Sequence, residues 1–197
     1  MKRIFIRHLI LFAATVGCVA CGSDSATGPK GGFTGQIDVR YLSDITPALQ
    51  TAMTIAAGRW TQALSKNLGD FPINLPANTC FPGQPPINET HHNLLLFVSV
   101  ANIDGQGTAL ALTAVCRLSS RDTLPILSNT VFDRADLDSM DARGELQGVV
   151  MHEMAHALGF DPGTYVTKGL SGGGVSDPFF SGVTSRSEFA KHGAWYT

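Results

Sequence analysis

Val149-Val150-Met151-His152-Glu153-Met154-Ala155-His156-Ala157-Leu158-Gly159-Phe160 is the stretch on which the reading of this 197-residue chain turns. Its apolar residues recur at helical spacing. With His152 taken as zero and about 100° per residue, Leu146, Val150, Met151, Met154, Ala157 and Leu158 fall at about 120° to 260°, one core-facing stripe. A helix over about residues 144–158 is therefore predicted, with Gly159 at the usual stop position. His152 and His156 stand four apart, within about 40° of each other and away from that stripe. Histidines that merely filled a core would lie inside it. Two imidazoles on one helix face can share one ion, and Glu153 between them is placed to take a proton from water on that ion. H-E-x-x-H on a helix is the pattern of a zinc site with its general base.

Upstream of this helix, residues 36–41 alternate, with Ile37, Val39 and Tyr41 on one side, as a half-buried strand does. Thr46-Pro47 reads as an N-cap followed by proline in the first turn. Leu49, Met53, Ala56, Trp60 and Leu64 then recur every three or four residues until Gly69. Residues 71–92 hold five prolines and Cys80 and read as a long exposed loop. Residues 93–100 (NLLLFVSV) are almost continuously apolar, which suits a central strand covered on both faces. Further strands are expected over residues 108–117 and 129–132, the first after an Asp104-Gly105-Gln106-Gly107 turn. The order strand, helix, three strands, helix predicts an α+β or α/β-type sandwich, its sheet packed on two long helices.

Composition excludes several classes of function. Charged residues make up 15% of the chain and hydrophobic ones 44%, which rules out a disordered, charge-rich protein. Beyond residue 20 there are 11 lysines and arginines against 16 acids and no basic cluster, so no nucleic-acid partner is expected. Residues 1–8 are basic and 9–20 apolar, too short to span a bilayer, and together they read as an export signal over residues 1–20. Val19-Ala20-Cys21 resembles the lipobox of bacterial lipoproteins. That implies Cys21 as an acylated N-terminus, a membrane partner through the lipid, and an outer-membrane or cell-surface location. A secreted or periplasmic protein is the alternative. Residues 21–35, rich in glycine and small polar residues, read as a flexible linker. Of the four cysteines only Cys80 and Cys116 lie in the exported body, where they are expected to pair. Zinc ligation by them lacks any C-x-x-C spacing.

HEMAHALGF has the longer form H-E-x-x-H-x-x-G, in which the glycine lets the chain turn below the metal. Together with AAGRW (56–60), IDGQGTALALTAVC (103–116), VFDRADLDSM (131–140) and DPFFSGVTSRSEFAKHGAWY (177–196), it resembles the leishmanolysin family, and in particular its bacterial zinc endopeptidases. The resemblance covers residues 33–196. It implies a metzincin-like subdomain over residues 36–160, with a twisted, mostly parallel sheet and an antiparallel edge strand, and the start of a post-glycine insertion over 161–197. It also implies one catalytic Zn2+, protein or peptide substrates, His152 and His156 as ligands, Glu153 as base and Gly159 as the active-site turn. Backbone pairing with substrate is expected along the edge strand at Gly107, Thr108, Ala109, Leu110, Ala111 and Leu112.

The place of the short metzincin form's third histidine is taken by Pro162, and Asp161 is one residue off the place where some relatives use aspartate. All five methionines precede Gly159, so the family's methionine turn and distal histidine are expected outside these residues, with the C-terminal subdomain largely missing. Two substitutes within the chain are His192 and Glu188, four apart. The competing expectation is a catalytically impaired surface lipoprotein that keeps the fold as a binding or adhesion module. His91-His92 reads as a solvated pair, and Asp133, Asp136, Asp138 and Asp141 as helix and turn caps without the spacing of a calcium loop.

Overall fold

A computed structural model describes residues 37–64, 69–167, 169–172, 179–183 and 187. Its centre is a four-stranded mixed sheet of β1 (Ile37–Tyr41), β4 (Leu94–Ala101), β5 (Ala111–Leu118) and β6 (Pro125–Asp133), in the order β1-β4-β6-β5. The pairs β1–β4 and β4–β6 are parallel; β5 runs antiparallel to β6 and, among the described residues, forms an open edge of the sheet. The fold is thus α+β, with a mostly parallel sheet and an antiparallel edge strand.

The apolar run at the centre is covered on both sides, and the period of two explains how. Leu94, Leu96, Val98 and Val100 of β4 join a core with Leu49, Met53 and Ala56 of α1 (Pro47–Ala63) and Val150, Met154 and Ala157 of α3 (Leu146–Ala157). Leu95 and Phe97, pointing the other way, pack with Ile73, Leu75 and Ile87. Those last residues belong to a two-stranded antiparallel ribbon of β2 (Asp70–Leu75) and β3 (Ile87–His92).

This ribbon replaces the long loop expected over residues 71–92. Phe71, Ile73 and Leu75 alternate inward along β2, while Pro72 faces out on a ribbon only two strands wide, where a missing N–H is tolerated. The prolines concentrate in the connection between the strands. His91, expected to be solvated, is buried at 7% exposure beside Asp38; His92 alone is exposed, beside Asp70. Burial lowers the His91 pKa, partly opposed by Asp38.

Helix α1 starts as its sequence requires: Thr46 Oγ1 accepts from the Leu49 amide at 3.2 Å, with Pro47 in the first turn. It ends at Ala63, before Gly69. A short helix α2 (Leu137–Ala142) precedes α3, and α4 (Pro162–Thr167) follows it, with a small pairing of β7 (Ser171–Gly172) and β8 (Phe179–Phe180). Among the described residues no helix is long and apolar enough to cross a membrane. The export signal, Cys21, the linker, Glu188 and His192 lie outside the described residues.

Candidate metal centre

Helix α3 is held against the sheet and α1 by polar ties as well as by its apolar stripe. The Ser128 hydroxyl donates to the Ala157 carbonyl at 2.9 Å, satisfying one of the acceptors that a helix C-terminus leaves over. Trp60 Nε1 donates to the Met151 carbonyl at 3.2 Å, and Gln147 Nε2 to the Ala52 carbonyl at 3.3 Å. Trp60 also packs on Phe160, ring centroids 5.3 Å apart. Helix α3 is therefore braced at both ends.

The helix closes in a Schellman turn. Gly159 donates to the His156 carbonyl at 2.9 Å and Phe160 to the Ala155 carbonyl at 3.0 Å. Gly159 sits at φ +89°, and a Cβ there would stand 3.1 Å from Pro125 Cγ, so both conformation and space demand glycine. That turn brings the Phe160 carbonyl to 3.0 Å from His156 Nδ1. A carbonyl only accepts, so Nδ1 carries the proton and Nε2 keeps its lone pair.

Gly159→Ala is expected to destabilise the fold by about 2 kcal/mol, from the left-handed backbone and the contact with Pro125. By loosening the tether on His156 it should weaken zinc binding about 10-fold. Urea unfolding and zinc titration check both effects, and an unchanged unfolding midpoint would contradict the account.

The two histidines converge. His152 Nε2 and His156 Nε2 are 3.0 Å apart, with the rings nearly perpendicular. Two nitrogens each about 2.0–2.1 Å from one tetrahedral ion stand about 3.3 Å apart, so the pair fits zinc with a shift of a few tenths of an ångström. Among the described residues no group of three potential ligands assembles.

Asp161 is committed elsewhere. Its carboxylate accepts from the Thr164 amide at 2.9 Å and the Thr164 hydroxyl at 2.6 Å, at the start of α4. Burial pushes its pKa up, but these bonds, the Gly163 amide and the neighbouring His156 outweigh it and hold the carboxyl below its usual range.

Glu153, 8% exposed, points under the helix toward β5, where Thr113 Oγ1 donates to its Oε2 at 2.7 Å. Beside it opens a groove of about 880 Å³, lined by Leu112, Thr113, Val115 and Leu118 of the edge strand and by His156 and Asp161.

The edge strand itself lies further along than expected. It spans Ala111–Leu118, so of the six residues assigned to substrate pairing only Ala111 and Leu112 belong to it. Gly107, Thr108, Ala109 and Leu110 form a loop whose backbone groups are engaged: Gly107 donates to Asp136, Ala109 to Asp104, and Leu110 accepts from Asp133. Gly105 and Gly107 both have positive φ there, which no strand permits. Asp133 and Asp136 are buried and brace this loop, Asp133 accepting from the amides of Asp104, Gly105 and Ala135. Their role is wider than the capping read from the sequence, while Asp138 and Asp141 are exposed on α2.

Cys80, in the connection between β2 and β3, is disulfide-bonded to Cys116 on β5. Cys116 lies where the β5–β6 register shifts, between Val115 and Arg117.

A helix carrying H-E-x-x-H with convergent imidazoles thus stands beside the antiparallel edge strand β5. A family model for leishmanolysin matches residues 62–171, and the chain belongs to the leishmanolysin family, whose members are zinc-dependent metalloproteases acting on proteins or peptides. No curated protein matches the chain.

Proposed function

We propose that this chain is a zinc-dependent endopeptidase in which His152 and His156 hold the metal and Glu153 is the general base. The observation that carries the reading is the pair of Nε2 atoms 3.0 Å apart on a helix whose buried Glu153 is bonded to Thr113, a residue that lines a groove along the edge strand. Zinc at such a pair supplies a Lewis acid that brings the pKa of its water to about 7. His156, with Nδ1–H bound to the Phe160 carbonyl, presents its Nε2 lone pair in a fixed orientation. Glu153 takes a proton from the attacking water and returns it to the departing amine. An extended peptide adds to the outer edge of β5, over Ala111–Leu118, with its side chains meeting Leu112, Val115 and Leu118.

The test is hydrolysis of casein by the full chain with zinc, with a chelator and after zinc restoration. Cleavage that follows the metal supports the reading; zinc binding without cleavage under all conditions would leave the binding-module alternative. Cys21 is proposed as the lipid anchor of an exported protein. Cys21→Ser is expected to move the protein from the membrane to the soluble fraction, and unchanged partition with no loss of acyl mass would refute the anchor.

A further inference from the structure

The sheet beneath α3 presents hydroxyls where apolar side chains would serve a strand equally well. Thr113 of β5 and Thr130 of β6 are cross-strand partners, in register and opposite each other. Their hydroxyl oxygens are 2.7 Å apart, and Thr113 Oγ1 is also 2.7 Å from Glu153 Oε2. Thr130 is 1% exposed, and its register partner on β4 is Val98, for which valine would be the ordinary companion.

Proton counting sets the direction of this chain. A carboxylate only accepts, so Thr113 donates its one proton to Glu153 Oε2. Thr113 must then accept from Thr130, which donates. Among the described residues no donor reaches Glu153 Oε1. The carboxylate is therefore held by one oxygen and has the other left for a reacting water. Glutamate has three rotatable side-chain bonds, and freezing them before substrate arrives removes an ordering cost from the catalytic step.

We infer that Thr113, backed by Thr130, is the positioning residue of the general base: the chain Thr130–Thr113–Glu153 fixes the glutamate in its working orientation from the substrate-binding strand. The inference rests on the zinc-peptidase reading above. It also joins substrate pairing to base orientation, because the strand that receives the peptide carries the hydroxyl that holds Glu153.

The experiment compares Thr113→Val, Thr113→Ser and Thr130→Val in the full, zinc-loaded chain on an internally quenched peptide. Thr113→Val is expected to lower kcat about 10- to 100-fold, with KM within about twofold and zinc content unchanged, since a misplaced reacting group costs that much. Thr113→Ser, which keeps the hydroxyl, should recover to within a fewfold of wild type. Thr130→Val should fall between them. A kcat that is unchanged or raised in Thr113→Val, or a serine variant no better than valine, would overturn the inference.

A second measurement is made on the metal-free chain. Unfolding equilibria of wild type, Thr113→Val, Glu153→Ala and the double variant are expected to be non-additive by about 10-fold, as for a hydrogen bond to a charged group. If wild type binds zinc yet cleaves nothing, the peptidase reading falls and this cycle decides alone: coupling upholds the tether, additivity overturns it.

Discussion

Glu153→Gln is expected to abolish peptide hydrolysis, by about 10²- to 10⁴-fold, while zinc content stays at the wild-type level. Among the described residues its side chain is bonded to Thr113 and to neither imidazole. Its loss therefore removes proton transfer and leaves the metal ligands in place. His152→Ala makes the contrast, since it deletes one of the two Nε2 donors and should weaken zinc binding about a hundredfold or more, and hydrolysis with it. Zinc content by mass spectrometry and casein cleavage, measured on both variants, check the division of roles. Equal zinc loss in the two would show that Glu153 is a ligand and not the base.

Breaking the Cys80–Cys116 disulfide by Cys80→Ser together with Cys116→Ser should destabilise the protein by about 3–4 kcal/mol, the loop-closure entropy of a 36-residue separation. Unfolding in urea with and without the bond measures it. The bond also ties the β2–β3 connection, whose Cys80 and Phe81 pack against the second core, to the strand that lines the groove, at the point where that strand's register shifts. An unchanged midpoint in the double serine variant, with mass spectrometry showing free thiols in the wild-type protein, would refute the prediction.

The helix and its convergent histidines were legible because their signals are local. His152 and His156 share a face by helix geometry alone, and Gly159 marks the stop because its φ of +89° suits glycine. The buried strand β4 was legible for the same reason, its unbroken apolar run admitting only a place with cover on both sides. The cover itself was not. The ribbon of β2 and β3 is spaced by prolines that locally read as loop, and only packing of Ile73, Leu75 and Ile87 on Leu95 and Phe97 makes it a strand pair.

The start of the edge strand also escaped local reading, because Gly107 to Leu110 are drawn out of it by Asp104, Asp133 and Asp136, with Asp136 bonded to Gly107 across 29 positions in sequence. So did Thr113, whose hydroxyl is unremarkable in sequence until the β5–β6 register sets it beside Thr130 and α3 lowers Glu153 onto it. The candidate ligands and the candidate base of the proposed site were thus written in twelve consecutive residues, where helical periodicity alone sets their directions. Which strand borders them, and which hydroxyl holds the base, depends on contacts between residues 17 to 40 positions apart, and those are decided only when the sheet closes on the helix.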